Sequence, residues 1–581
     1  MHLLILILFI AHFSPFPLRF EPVISLLQLL IPILALSNLG RGLPFPLAVG
    51  FGQCVLFAYV LLRSGLNHLL GVELPISWIE LILICLVPKV TFKVPWAFLL
   101  GLFVFCQREL PRELMLSSDP DQHAFFAKQL LDFGFLPLNR GLWGEEGFNY
   151  PGGFAVLNFI WAKLSFCDPR DIVTIQPYIQ FLLAIFLFSK DRLPGFLLFL
   201  VFTFIPYGYL ENNYHLEGTG RLSSIFLLSL CLISPKSQKE WFLVTLAPIM
   251  LFIINPPFGV LSGALVGVKL IKNLKIIPII FCLGLILVFC DPYFRSRISG
   301  DLNEATLIKT EQKPLELDKY SSNVLSSRSI NLTKDMIFKN GYFTLPIWGL
   351  ALFALLLLFS NKNEGLNLLW QGGVIVLSFL LFQPLFSILG SDPRYFLLEP
   401  YLLDSGKLMF LLILIKGTGV IFSKIKFSGL HLALAILLMF IPNKTKPRFS
   451  YCGAAGCLTE NDKKVIEQMT QYLTDKNTRV LIPNAPVMVF NREKWLFPWG
   501  AGRALPFETD VPLAFFYFQG DRDYSYENYQ KNICEELNIE WLKAEQIKYI
   551  FIPSDRGGTC IRSGGEILFK SGDAKFVKVY E

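Results

Sequence analysis

The stretch Ser117-Ser118-Asp119-Pro120-Asp121-Gln122-His123 places two carboxylates and an imidazole within seven residues, between apolar runs at 94–107 and 154–166. Ionisable groups beside hydrocarbon are costly, so such a cluster is read first as functional: a proton relay, a metal site or a catalytic base. A plainer reading is local. Ser and Asp are good N-caps and Pro suits a first turn, so Ser117 to Asp121 would cap a helix that starts near Gln122 and ends at Gly134. A cap needs only one of those residues, and it accounts for neither the second Asp nor His123.

Outward from this stretch, apolar runs recur upstream at 3–16, 22–37, 44–62, 76–88 and 94–107. Downstream they fall at 154–166, 172–188, 194–207, 221–234, 241–256, 258–270, 275–290, 343–359, 366–390, 402–422 and 427–442. Several are shorter than the ~20 residues that cross a bilayer at right angles. With 53% hydrophobic and 17% charged residues over 581 positions, the chain is too apolar for a soluble protein of that length. A mostly α, polytopic helical membrane protein is expected. Met1 to His12 has no basic stretch before it and no small-residue cleavage site after it, so it reads as a retained first span. The net charge of +7 resides in loops and gives no reason to expect nucleic acid. Most of the 11 cysteines sit in apolar runs, and no pair has the Cys-x-x-Cys spacing of a zinc site.

Loop charge orients the spans, because short basic loops stay cytoplasmic. Lys236 and Lys239, Lys269, Lys272 and Lys275, Lys362, and Lys416, Lys424 and Lys426 share one side if every run from 221 onward crosses once. Counting back from there puts the acidic stretch inside if 154–166 crosses. Counting forward from a cytoplasmic N-terminus, with Lys89 and Lys93 inside, puts it outside. The two counts agree if 154–166 is an interfacial or re-entrant helix, which suits its length. About fifteen crossings follow, with the loops 107–153 and 291–342 and the C-terminus outside.

The spans occupy 1–442, and from 443 to 581 the composition becomes that of a small soluble domain. Helical patterns at 459–475 and 525–546 alternate with β-rich runs at 480–483, 487–490, 514–518, 549–553 and 575–580, which predicts an external α/β domain. No Gly-rich phosphate loop opens either helix.

Three polar clusters fall at the outer face in this topology. They are Asp119/Asp121/His123; His215 and Glu217 with Arg221; and Asp392-Pro393-Arg394-Tyr395 with Glu399 and Lys407. Together they would make an acidic centre flanked by cations, which suits a general base beside a phosphate leaving group. Local salt bridges among interfacial loop charges are the alternative for the second and third.

On these residues the chain resembles the GT-C superfamily of polyprenyl-phosphate-sugar-dependent membrane glycosyltransferases. In layout it is similar to the lipid A aminoarabinose transferases and the protein O-mannosyltransferases. In such families the first large external loop carries an acidic pair, an aromatic residue, a short helix with a Gly near its end, and an aromatic-Pro element. Asp119, Asp121, His123, Gly134 and Tyr150-Pro151 stand in that order here. The sequence departs from the better-known families in having five spans, rather than one, before that loop.

The resemblance implies an inverting transfer from a polyprenyl-phosphate-linked sugar to a lipid, glycan or protein acceptor outside the bacterial cytoplasmic membrane. Asp119 takes the place of the base and Asp121 that of the second acid, with Tyr150 as the loop aromatic. Arg394 and Tyr395 resemble the late element that meets the donor phosphate, with Arg221 and Lys407 as further cations and Glu217 and His215 as a second acidic element. Such a donor carries its own leaving group, so no cofactor is required. Asp121 and His123, with Asp119 or Glu217, also have the donor types for Mg²⁺, Mn²⁺ or Zn²⁺. A transporter or flippase of lipid-linked or anionic solutes is the alternative. That class favours ionisable residues at mid-membrane depth and repeated halves, and neither is apparent.

Overall fold

The computed structural model describes residues 22–86, 94–99, 101–102, 118–134, 151–188, 223–271, 277–299, 362–389, 408–409, 411–417, 419, 459–473, 478–481, 487–490, 493–496, 513–514, 530–535, 537–554 and 565–580. The chain divides into two units. One comprises Met1–Arg112, Gly152–Asp291 and Lys313–Lys446, and the other Glu113–Pro151, Pro292–Gln312 and Pro447–Glu581.

The helices, in chain order, begin with α1 (Pro22–Leu39), α2 (Leu47–Leu70), α3 (Trp78–Leu86) and α4 (Ser118–Phe133). Then come α5 (Gly153–Ser165), α6 (Pro169–Phe188), α7 (Ile225–Cys231), α8 (Gln238–Ile254) and α9 (Pro256–Leu270). α10 (Ile277–Cys290), a short helix Pro292–Ser299, α11 (Lys362–Leu389), α12 (Glu460–Met469) and α13 (Ile539–Ala544) complete the series. All but α4, the helix Pro292–Ser299, α12 and α13 belong to the first unit, which is a helix bundle.

Local chemistry sets the helix ends. α2 stops at Gly71, whose φ of 63° is the left-handed geometry of a C-cap, and its N–H closes onto the Asn67 and His68 carbonyls. Among the described residues α2 is the one helix long and apolar enough to cross a membrane. Ser237 caps α8 by accepting from the Glu240 N–H, and Pro256 starts α9 directly after Asn255. α1 and α2 pack closely because position 52 is glycine: a Cβ there would lie 2.0 Å from the Leu36 carbonyl oxygen.

The bundle has two chemically distinct ends. At the first, Lys239 Nζ donates to the Arg41 carbonyl at 2.7 Å, and Phe45 stacks edge-on against Phe98, which meets Phe186 near the end of α6. At the other end of α8, a Cβ on Gly153 would lie 2.7 Å from the Ile253 carbonyl, ~21 Å along the helix axis from Lys239. That second end also holds Gly65 of α2, which abuts Cys290, and Asp291, whose carboxylate accepts the Gly152 N–H at 2.8 Å.

The run read as 154–166 is α5, and it differs from the interfacial alternative. Every residue but Lys163 is buried, so α5 is inserted among α1, α2, α6 and α8 rather than laid on a surface. The chain enters α5 beside Asp291 and leaves it at Phe166, whose ring contacts Trp78 at 4.8 Å. From there α6 runs toward the first end, where Phe186 meets Phe98.

α10 is apolar on all sides yet mostly uncovered. Only Ile280, Gly284 and Leu287 are buried, while Phe281 is 63% and Leu285 51% exposed.

In the second unit a five-stranded sheet has the order β4-β1-β5-β7-β6, with a separate β2-β3 hairpin. The strands are β1 (Arg479–Leu481), β2 (Val487–Phe490), β3 (Glu493–Leu496), β4 (Leu513–Ala514), β5 (Ile547–Ile552), β6 (Glu566–Ser571) and β7 (Ala574–Lys578). β4, β1 and β5 are parallel and β7 and β6 antiparallel, so the small α/β domain is present with more strands than its apolar runs indicate. Leu481, Leu542, Ile547 and Ile550 form its core.

α12 packs on β6 and β7 and is locked at its start. Buried Asp462 accepts from the Thr459 N–H and hydroxyl at 2.8 and 2.7 Å and from the Ser554 N–H and hydroxyl at 2.8 and 3.1 Å. The pattern expected at 525–546 is broken into a π-helical turn at Gln530–Glu535 and the short α13.

Candidate functional site

α4 carries the acidic stretch. It starts at Ser118, four residues before the expected Gln122, which puts Asp119, Pro120 and Asp121 in its first turn. Pro is tolerated there, and the free N–H groups and positive end of the helix favour acidic residues. The helix ends as expected at Gly134, whose φ is 73° and whose N–H reaches the Leu130 carbonyl at 3.0 Å. Ala124, Phe125, Phe126, Ala127 and Leu130 bury the following turns, and His123 is partly exposed where that buried stretch begins.

α4 carries all three ionisable positions of the acidic stretch. Positions 119, 121 and 123 all fall in the first two turns of α4, with 119 and 123 one turn apart along the helix. Among the described residues no group of three or more His, Cys, Asp or Glu side chains gathers in metal-binding geometry.

Tyr150, His215, Glu217, Arg221, Arg394, Tyr395 and Lys407 lie outside the described residues, so α4 is the part of the expected site with a described backbone.

Two features position the surrounding chain: the first has no counterpart in the sequence reading, and of the second the sequence indicates the shared side but none of the contacts. The first is Asp291. It is fully buried and takes the Gly152 N–H across 139 residues of sequence, fixing where the chain returns from the acidic segment. A carboxylate at this spot also faces the positive end of α5. Its sequence signal is slight: one acid directly after an uninterrupted apolar run.

The second is a lysine hub at the opposite end of the bundle. Lys269 Nζ donates to the Cys231 and Ile233 carbonyls at 2.5 and 2.8 Å. Lys416 Nζ donates to the Leu232 carbonyl at 2.8 Å and to Gln371 Oε1 at 2.9 Å, while Gln371 Nε2 donates to the same Leu232 carbonyl at 3.0 Å. Together they satisfy carbonyls that end α7 and have no partner within it. Lysines from three distant parts of the sequence, 239, 269 and 416, thus gather at one end of the bundle.

No family model, curated protein or solved structure matches the chain.

Proposed function

We propose that the chain is a multi-pass membrane glycosyltransferase that moves a sugar, with inversion, from a polyprenyl-phosphate donor to an extracytoplasmic acceptor. Two properties of the bundle support a membrane setting. A helix that is apolar all round is stable when buried in protein or surrounded by lipid, and α10 is not buried. Short basic segments remain on the cytoplasmic side, and Lys239, Lys269 and Lys416 gather at one end.

The observation that carries the proposal is the Asp291 clamp on Gly152. It ties the start of α5 to the bundle end opposite the lysines. In the proposed topology that end lies at the outer leaflet, where a lipid-linked sugar and an external acceptor meet.

In the proposed reaction Asp119 accepts the proton of an acceptor hydroxyl or amide. The acceptor atom forms a bond to the anomeric carbon on the face opposite the phosphate, and the bond from that carbon to the phosphate oxygen breaks. Arg394, with Arg221 and Lys407, takes up the charge on the departing polyprenyl phosphate. His123 stands one helical turn after Asp119 on α4. The reading requires no cofactor, and any divalent cation would be held by Asp119, Asp121 and His123.

Topology reporters test the orientation. A reporter at exposed Lys236 should be active in the cytoplasm and one fused after Glu581 should be active outside. The same side for both, or the reverse pair, would remove the basis for an external site.

A further inference from the structure

The interior of the bundle holds a polar group that neither the fold nor the proposed reaction explains. Gln53 of α2, Asn158 and Trp161 of α5, and Gln176 and Gln180 of α6 are all fully buried. Gln53 Oε1 accepts from Trp161 Nε1 at 3.3 Å and from Gln180 Nε2 at 3.0 Å, which joins the three helices at one point. Asn158 stands three residues before Trp161, and Gln176 four before Gln180, so each shares a helix face with a member of that junction. Six amide atoms remain without a protein partner: Gln53 Nε2, both side-chain polar atoms of Asn158, both of Gln176, and Gln180 Oε1.

Unpaired polar atoms at full burial are rare in folded proteins, and this group of them is concentrated where α5 inserts. Planar amides present donors and acceptors side by side, which matches a hydroxyl group, since a hydroxyl also does both. None of the five side chains is ionisable, so the junction offers nothing to neutralise a phosphate, a carboxylate or a metal ion.

We propose that the α2–α5–α6 junction is a binding site for an uncharged, hydroxyl-bearing occupant, either internal water or the ring hydroxyls of a sugar or polyol. Buried waters make about three hydrogen bonds each, so two such molecules suffice for the six atoms. The assignment stands apart from the reaction proposed above, because it rests on the amides alone and none of them belongs to the acidic segment.

The test uses the full chain in detergent, comparing wild type with Asn158→Leu and Gln176→Leu by thermal unfolding, with and without glucose, mannose or galactose. X-ray hydroxyl-radical labelling of Trp161 in the wild type is read alongside, since ordered internal water marks buried side chains beside it. Resident water predicts labelled Trp161, a lower unfolding temperature in both Leu variants and no response to sugar. A sugar site predicts variants at least as stable as wild type, together with a sugar-dependent rise in the wild-type unfolding temperature that both variants lose. An unlabelled Trp161 with no sugar response would show the junction to be dry and overturn the proposal, even if neither variant folds.

Discussion

Replacing Asp291 with Ala should release the start of α5. Asp291 is fully buried and takes the Gly152 N–H at 2.8 Å, a hydrogen bond to a charged group at the N-terminus of a helix. Such a bond contributes about 1.5–3 kcal/mol, and a carboxylate at a partly buried helix N-terminus adds up to ~2 kcal/mol. The Ala variant also leaves the Gly152 N–H without its acceptor at a position where the Gly153 Cα already abuts the Ile253 backbone, so little space exists for water to substitute. We therefore expect a loss of roughly 2–4 kcal/mol, a thirtyfold or larger increase in the population with α5 detached. Asp291→Asn retains an acceptor oxygen and should lose about half as much. The assay is limited proteolysis across Pro151–Gly152 in the detergent-solubilised chain, with thermal unfolding in parallel. Equal protection and equal stability in wild type and Asp291→Ala would refute the clamp.

Asp462→Ala should destabilise the C-terminal unit by more than the ~0.5–2 kcal/mol of an ordinary N-cap, because Asp462 serves Ser554 as well as Thr459; unfolding of that unit with unchanged stability would contradict it. Gly52→Ala should weaken the α1–α2 contact, since the added Cβ meets backbone atoms of Leu36 that cannot rotate away; a wild-type unfolding temperature would show that the two helices slide freely. Arg394→Lys should reduce binding of a polyprenyl-phosphate donor about ten- to a hundredfold, because a point charge replaces a planar fork of donors; loss of stability with donor binding intact would make Arg394 a structural residue.

Several features were legible in the sequence for identifiable reasons. Gly134 could be read as a helix end because a glycine after an apolar periodic stretch is the usual left-handed cap, and it adopts that geometry. The boundaries of α5 were legible from the Pro151-Gly152-Gly153 turn and the short apolar run that follows it. The gathering of Lys239, Lys269 and Lys416 followed from counting helices between basic residues.

Other features depend on partners far away in the chain. The role of Asp291 arises from a contact across 139 residues, and Gln371 matters only because Leu232 lies beside it. Gln53, Asn158, Gln176 and Gln180 stand singly in apolar runs, and one amide per run makes no periodic pattern. The start of α4 was misplaced because Asp119-Pro120-Asp121 is equally acceptable before a helix and inside its first turn. β6 was overlooked because it is an edge strand without a buried face to impose alternation.

The most direct test of the account is sugar transfer in proteoliposomes from a labelled polyprenyl-phosphate donor, comparing wild type with Asp119→Asn. Asn retains the size and α4 placement of the side chain but cannot accept the acceptor's proton. The account predicts transfer with inverted anomeric configuration by the wild type, and a fall of about 10²–10⁴-fold in the variant at unchanged folding and donor binding. Near-normal transfer by Asp119→Asn, or a product of retained configuration, would contradict it.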